Sequence, residues 1–398
     1  MQILVLNAGS SSLKFAVYEA AEEGLTLQMT GAVSGLPDRP RFKVRDASGG
    51  ALAEAEWPGA PGALEDALAR TLGWLAGEGG VSAPDAIGHR IVHGGLEFDA
   101  PVRLEAETLR RLEAISPLAP LHQPFNLAAV RAAQGRFPGA VQVGCFDTAF
   151  HAGQPRLARL YALPRDLTDG GVLAYGFHGL SYDYIAGKLR DRFGPDCGGR
   201  VIIAHLGSGV SLCALAEGRS LATTMGFSAL DGPPMATRSG SLDPGVLLYL
   251  MEDRGMSAAD LTDLLYRRSG LFGVSGESGD VRVLVASGRP EAREALDLFV
   301  YRLSREIGGL AAALGGVDRL VFTAGVGENS AEIRAGVLQA CAWLGAELDV
   351  EANRVGAEII TTPASRLQGL VLPTDEQIVI ANAARTLFQT PENERPRR

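Results

Sequence analysis

Residues 3–19 read ILVLNAGSSSLKFAVYE, and residues 201–217 read VIIAHLGSGVSLCALAE. Laid over one another at an offset of 198 positions, half of the 398-residue chain, each is an apolar β run, a Gly/Ser turn and a second β run ending in Glu. Gly9 coincides with Gly207, Ser10 with Ser208, Ala16 with Ala214 and Glu19 with Glu217. A turn of Gly and Ser offers backbone N–H groups and hydroxyls to an anion, because glycine permits close backbone approach and positive φ. One such turn reads equally well as an ordinary hairpin. Two of them half a chain apart indicate duplicated halves that close on a polyphosphate.

The rest of the chain suits that reading. Its length is more than one hydrophobic core needs, so two domains are expected. A hydrophobic content of 46% with 21% charged residues is that of a globular protein, and 50 glycines suit many tight turns. The net charge of −9 argues against nucleic acid or an anionic membrane as partner, so anionic substrates must be met by local cations. Cys145, Cys197, Cys213 and Cys341 are scattered without a CxxC pair, which indicates neither a zinc site nor a disulfide framework and fits a reducing cytoplasm. No export signal or apolar run long enough for a membrane span is read, and Pro391–Arg398 is expected to fray.

Strand-like runs (Ile3–Leu6, Leu13–Tyr18, Ala86–Val92, Val141–Phe146, Val201–His205, Leu212–Ala216, Leu320–Ala324, Gly369–Leu372) alternate with amphipathic helical stretches such as Pro61–Gly77, Ser181–Arg192, Pro290–Leu314 and Asp375–Phe388. That alternation predicts an α/β fold. Segment 21–60 reads as an insertion or as extra hairpins. A boundary near residue 150 divides an N-terminal lobe, 1–150 plus 376–398, from a C-terminal lobe, 151–375, with the last helix returning to the first lobe.

The chemistry-bearing residues gather in turns at strand ends, where α/β sites form. Asn7-Ala8-Gly9-Ser10-Ser11-Ser12-Leu13-Lys14 offers three hydroxyls and a lysine to phosphoryl oxygens. Gly88–Gly95 carries Arg90 and His93, and arginine suits bidentate recognition of carboxylate or phosphate. Asp147 ends the run before Phe150-His151; it reads as a magnesium ligand, an orienting group or a base, or as a helix N-cap. His178 lies between Phe177 and Gly179, and Arg238 lies in a Gly/Pro-rich loop. Gly325-Val326-Gly327-Glu328-Asn329 follows a strand and opens a helix, with Asn329 and Glu332 spaced as a capping box. Glu376 reads as a metal-associated acid or as a first-turn acid favouring the helix dipole. No Walker loop, protein-kinase signature set, G-x-S-x-G elbow or His/Cys metal cluster is present.

Taken together, LNAGSSSLKF, HRIVHGG, FDTAFH, YGFHG, HLGSG, TMGF, ATRSG, TAGVGENS and TDEQIVIA, in that order from residue 3 to about 385, resemble the acetokinase family of the sugar-kinase/Hsp70/actin superfamily. The resemblance implies two duplicated ribonuclease-H-like lobes with an interlobe cleft. It also implies reversible transfer of the γ-phosphoryl group of ATP to acetate, giving acetyl phosphate and ADP, with Mg²⁺ or Mn²⁺ and in a homodimer. Carried over by position, Arg90 and Arg238 would grip the carboxylate and the transferring phosphoryl group. Asp147 would orient substrate, and His178 would stabilise the transition state. Asn7 and Glu376 would organise the metal. Ser10, Ser12 and Lys14, with His205, Leu206, Gly207, Ser208 and Gly209, would line the phosphate path. Asp280, Val281, Arg282 and Gly325–Asn329 would hold the nucleotide. Val92, Leu121, Phe177 and Ala229 would form an apolar pocket for the methyl group, beside Arg90.

Four positions depart from the family pattern. Ser208 stands where Asn is usual, Leu173-Ala174 where two arginines are usual, Ala229 where Pro is usual and Ser241 where Asp is usual. The smaller wall at Ala229 makes a propionate kinase the neighbouring alternative. A nucleotide-gated ATPase on the same scaffold is the alternative of another class, and two arginines beside an apolar pocket argue against it.

Overall fold

The computed structural model describes residues 1–9, 12–36, 38–59 and 63–390; Ser10, Ser11, the start of the Pro61 helix and the 391–398 tail lie outside the described residues. The chain forms two compact units, Met1–Ala149 with Asp375–Arg398, and Phe150–Thr374.

The first unit holds β1 (Gln2–Ala8), β2 (Ser12–Ala21), β3 (Gly24–Ser34), β4 (Arg41–Asp46), β5 (Ala51–Glu56), β6 (Ala86–Ile91), β7 (Val102–Arg103) and β8 (Val141–Phe146), ordered β5-β4-β3-β2-β1-β6-β8-β7. The second holds β9 (Val201–Leu206), β10 (Val210–Ala216), β11 (Arg219–Thr223), β12 (Arg319–Thr323) and β13 (Gln368–Val371), ordered β11-β10-β9-β12-β13. The duplication is therefore topological. β3-β2-β1-β6-β8 repeats β11-β10-β9-β12-β13, with an antiparallel hairpin feeding parallel neighbours in each.

Segment 21–60 extends the first sheet as β3 to β5. Its outer strand is charged, with Lys43 paired to Glu54 and Arg41 to Glu56, a device that discourages edge-to-edge association. β1 and β9 are apolar along almost their whole length because helices or core side chains cover both faces; Ile3 to Leu6 and Val201 to Ala204 are at most 1% exposed.

The gapless superposition of the two hairpins fails at the turn. Ile3 pairs with Tyr18, whereas Val201, 198 positions later, pairs with Leu215. Four residues (9–12) separate the paired Ala8 and Leu13, but only three (207–209) separate Leu206 and Val210. The second strand is thus displaced by one position, so the counterpart of Ala16 is Cys213, and Glu217 leaves the strand as a left-handed turn residue (φ 52°). Side chains alternate with period two along a strand, so the shorter turn puts each β10 side chain on the opposite face from its gapless counterpart in β2; both faces of β10 are covered, and Val210 to Leu215 are all buried.

Candidate active site

In the first unit, three parallel strands end side by side. β1 delivers Asn7, β6 delivers Arg90, and Asp147 follows the last residue of β8, its N–H donating to the Ile91 carbonyl at 3.1 Å. Arg90 Nε donates to Asp147 Oδ1 and Oδ2 at 3.0 and 3.1 Å, Nη2 donates to Oδ2 at 2.5 Å, and Nη1 donates to Asn7 Oδ1 at 3.2 Å. The Asp147 side chain is 1% exposed and that of Arg90 22%. Burial opposes the charge on Arg90, but the carboxylates of Asp147 and Glu376 outweigh it and raise its pKa, so it is a permanent cation. A guanidinium has five N–H donors; among the described residues three are engaged, which leaves two to meet an anion.

Glu376 arrives on the helix Glu376–Gln389, which is capped by Asp375 Oδ1 accepting from the N–H groups of Gln377 and Ile378. That helix lies so close to β6 that a Cβ on Gly88 would stand 2.4 Å from Ile380 Cγ2. Glycine at 88 therefore sets how near Glu376 comes to Arg90.

Nearby, Asn126 Nδ2 donates to the Ala8 carbonyl at 2.6 Å while its Oδ1 accepts from Val92 N–H at 2.9 Å, tying the end of β1 to Val92. Val92 is buried, and Leu121 is partly buried in the turn before the helix Gln123–Arg136. Ser12 opens β2, its carbonyl accepting from Gly9 N–H, and Lys14 is exposed opposite Asn7. Ser10 is outside the described residues.

In the second unit, His178 adopts the left-handed conformation (φ 58°, ψ 22°) at the start of the helix Gly179–Phe193. Its ring stacks on His205 at a centroid distance of 4.1 Å and an interplanar angle of 18°. A Cβ on Gly209 would lie 3.2 Å from His178 Nε2 and 3.6 Å from Arg238 Nη1, so the glycine sits against both. Arg238 Nη1 also donates to the Ala229 carbonyl at 2.9 Å. His178, His205, Gly209, Arg238 and Ala229 thus meet, although they are far apart in sequence.

The turn Gly207-Ser208-Gly209, expected on the phosphate path, closes with Gly207 N–H donating to the Gly209 carbonyl, and Leu206 before it is fully buried. A Cβ on Gly207 would approach Ala324 Cβ to 3.7 Å, which brings the turn beside the segment Gly325–Asn329. That segment is itself the last part of a short helix, Ala324–Asn329, and not an open loop. The expected Asn329/Glu332 capping box does not form. Ser330 caps the next helix by accepting from Ile333 N–H, Asn329 Nδ2 turns back to the Gly325 carbonyl, and Glu332 pairs with Arg293. Asn329 is the last residue of the preceding helix, which takes it away from the cap position.

Glu328 Oε1 accepts from Thr374 N–H at 3.3 Å. Asp280 caps Val281–Ala286, accepts from Arg282 N–H, and pairs with the exposed Arg282 guanidinium, whose hydrogen bond lowers the pKa of the carboxylate. Both residues line an open groove of about 590 Å³. Val281 is buried beneath them.

Three departures acquire a physical setting. Leu173 is buried, and beside it Arg159 Nε donates to the Ala174 carbonyl while its guanidinium lies 5.8 Å over the Tyr175 ring, so a cation reaches this segment from elsewhere. Ser241 Oγ donates to Asp231 Oδ1 at 2.6 Å and accepts from Gly232 N–H at 3.0 Å, closing the Arg238 loop. Ser208 is exposed in its turn.

Sequence reasoning assigned no role to the polar scaffold behind the histidines. His178 Nδ1 bonds Ser211 Oγ at 2.8 Å, and Ser211 Oγ bonds the Tyr182 hydroxyl at 2.5 Å. His205 Nδ1 bonds Ser181 Oγ at 2.9 Å, and Ser181 Oγ donates to Thr374. His151, fully buried, bonds Ser220 Oγ and the Phe177 carbonyl and so fixes the turn before His178. Burial holds His151 neutral, with a pKa lowered to about 4. A Cβ on Gly176 would stand 2.5 Å from the His151 ring, which accounts for the glycine in YGFHG. The one signal for this scaffold was the i, i+4 spacing of His178 and Tyr182, which puts both on one helix face.

The sequence model described as the Acetokinase family matches residues 2–382. An acetate kinase of Rhodopseudomonas palustris strain TIE-1 is 51% identical over 95% of this chain and 96% of that relative. An acetate kinase of Rhizobium meliloti is 48% identical over 98% of this chain and 99% of that relative. Among solved structures, acetate kinase of Porphyromonas gingivalis superposes with a TM-score of 0.85 at 37% identity, covering 98% of this chain and all of that one. A propionate kinase of Francisella tularensis superposes with a TM-score of 0.89 at 32% identity, covering 97% and 99%.

Proposed function

The chain belongs to the acetokinase family, and from that premise we propose reversible transfer of the γ-phosphoryl group of ATP to acetate, giving acetyl phosphate and ADP. It is a kinase acting on a carboxyl group. The observation that carries the mechanism is the bidentate Arg90–Asp147 pair with Asn7 and Glu376 beside it.

Acetate is ionised at neutral pH and needs no strong base. What in-line transfer between two anions requires is charge neutralisation and alignment. Asp147 holds the Arg90 guanidinium by two atoms, and the two remaining N–H groups of Arg90 receive the carboxylate. Arg238 takes charge from the transferring phosphoryl group. His178, against Gly209, donates to that group as charge builds on its oxygens. Ser10, Ser12 and Lys14 serve the phosphate path, as does the 205–209 turn. The Asp280–Arg282 and Gly325–Asn329 segments hold the nucleotide. By their positions in the family pattern, Val92, Leu121, Phe177 and Ala229 are the residues we assign to the methyl group.

The donor set suits Mg²⁺ or Mn²⁺. Asn7 and Glu376 offer hard oxygens, and Arg90 balances only one of the two neighbouring carboxylates. Among the described residues no three His, Cys, Asp or Glu side chains are placed to hold a metal alone; magnesium characteristically completes its shell with water and substrate phosphates. Bound there, the ion would neutralise charge on the phosphates.

A second copy of the chain is the partner we assign, through the helix Pro244–Glu252. None of its residues is buried, and Val246, Leu248, Tyr249 and Met251 are 41–56% exposed. Buried thiols at all four cysteines suit a reducing cytoplasm. No helix among the described residues is long and apolar enough to cross a membrane.

Hydroxylamine trapping of acyl phosphate formed from ATP, Mg²⁺ and either acetate or propionate tests the reading. Product favouring acetate sustains it. Product favouring propionate, which the small side chain at Ala229 would permit, shifts it to propionate kinase. ADP without trapped product under either acid overturns it.

A further inference from the structure

We propose that Tyr182 is a positioning residue that, through Ser211, holds His178 as the neutral tautomer with its proton on Nε2. This rests on the reading that His178 donates to the transferring phosphoryl group.

The argument follows the protons. Tyr182 is fully buried, and Ser211 Oγ, at 2.5 Å, is the polar partner of its hydroxyl. Burial pushes the phenol pKa well above its ordinary value, so the hydroxyl keeps its proton and must place it. A buried O–H without an acceptor is costly, so Tyr182 donates to Ser211. Ser211 is itself fully buried. Its own proton goes to its other partner, His178 Nδ1, at 2.8 Å. Nδ1 is then an acceptor, and the ring proton resides on Nε2, the atom against Gly209. The opposite arrangement, with Nδ1–H donating to Ser211 and Ser211 to Tyr182, strands the phenolic proton.

Backbone geometry supports the same assignment. Ser211 pairs across the hairpin with His205, and Tyr182 lies one helical turn after His178. The His205 ring from β9 stacks on the His178 ring, and Arg238 from its loop lies with His178 against Gly209.

The test is ring-nitrogen NMR on the full-length, ¹⁵N-histidine-labelled protein without substrates, with His178 assigned from a His178→Gln variant. Expected is an Nε2–H spectrum for His178 in the unmodified protein. Tyr182→Phe and Ser211→Ala each abolish the fixed tautomer, and Ser211→Thr, which keeps the hydroxyl, preserves it. In turnover, Tyr182→Phe lowers kcat roughly tenfold, the scale of one lost hydrogen bond, with KM values changed less than about twofold. An Nδ1–H spectrum in the unmodified protein, or an unchanged Nε2–H spectrum in a folded Tyr182→Phe, overturns the proposal. If Tyr182→Phe fails to fold, the Ser211→Ala and Ser211→Thr pair decides by the same criterion. The spectra are recorded without turnover, so a failed acyl-phosphate assay with the expected tautomer would sink the enzymatic reading and leave the relay standing.

Discussion

His178 and His205 stack at 4.1 Å, and each is held at Nδ1 by a serine from the other side of the contact between the helix and the β9–β10 hairpin. Ser211 on β10 serves the helix histidine, and Ser181 on the helix serves the strand histidine. This crossed pairing locks the helix Gly179–Phe193 in register against the β9–β10 hairpin. It also makes the position of His178 depend on residues remote in sequence. The consequences for catalysis and stability can be measured separately.

Replacing Arg90 or Arg238 by Ala should lower kcat by on the order of 10²- to 10⁴-fold, the scale for removing a group that stabilises developing charge. Steady-state kinetics, with circular dichroism to verify the fold, check this. Near-normal rates in both variants would remove the anion-clamp assignment.

Gly88→Ala should destabilise the protein by about 1–3 kcal/mol, because the new methyl meets Ile380 at 2.4 Å and forces the terminal helix off β6. Gly139→Ala, with open space around the position, is the control. Comparable denaturant midpoints for the two would show that helix and strand are not packed as described.

Acid should destabilise the fold through three buried histidines. His89, His93 and His151 are each held by burial at a pKa of about 4, below the ordinary 6.5. As pH falls, the unfolded chain takes up these protons first. The contribution to stability is therefore full above about pH 6.5 and lost as pH falls toward 4, by up to a few kcal/mol for each group. Melting temperatures between pH 7 and 4.5 should fall steeply in the unmodified protein and less steeply in His89→Gln. Identical slopes would contradict the assignment at His89.

Ala229→Pro should narrow the acyl range toward acetate. The backbone carbonyl that accepts from Arg238 is kept, so the arginine stays in place while the wall of the pocket grows. An unchanged acetate/propionate ratio of kcat/KM would take position 229 out of the pocket.

Leu248→Glu should shift the protein from dimer to monomer in analytical ultracentrifugation, since a charge in the middle of an apolar interface is left desolvated. A monomer already in the unmodified protein, or a dimer undisturbed by Glu, would remove this helix as the interface.

Much of the chain was legible in order of residues. The apolar runs at 3–6, 141–146 and 201–205 became strands because both faces are covered, and Pro290–Leu314 became a helix over those same residues. Asn7, Arg90 and Asp147 could be singled out because each sits at or beside a strand end flanked by glycine or small residues, a signal carried by neighbours in the chain. What only the tertiary structure decided is everything set by partners distant along it. The one-residue slip between the hairpins came from a shorter turn whose effect appears only when strands pair. The cap at Ser330 displaced the one expected at Asn329 because the preceding segment coils into a helix. Tyr182, Ser211, Ser181 and Thr374 acquired roles only when a helix and a sheet met, since a hydroxyl carries no local signature of the ring it will bind. Periodicity and glycine placement act within a few residues and can be read directly; hydrogen-bond partners such as Ser181 and Thr374, 193 residues apart, are chosen by the fold.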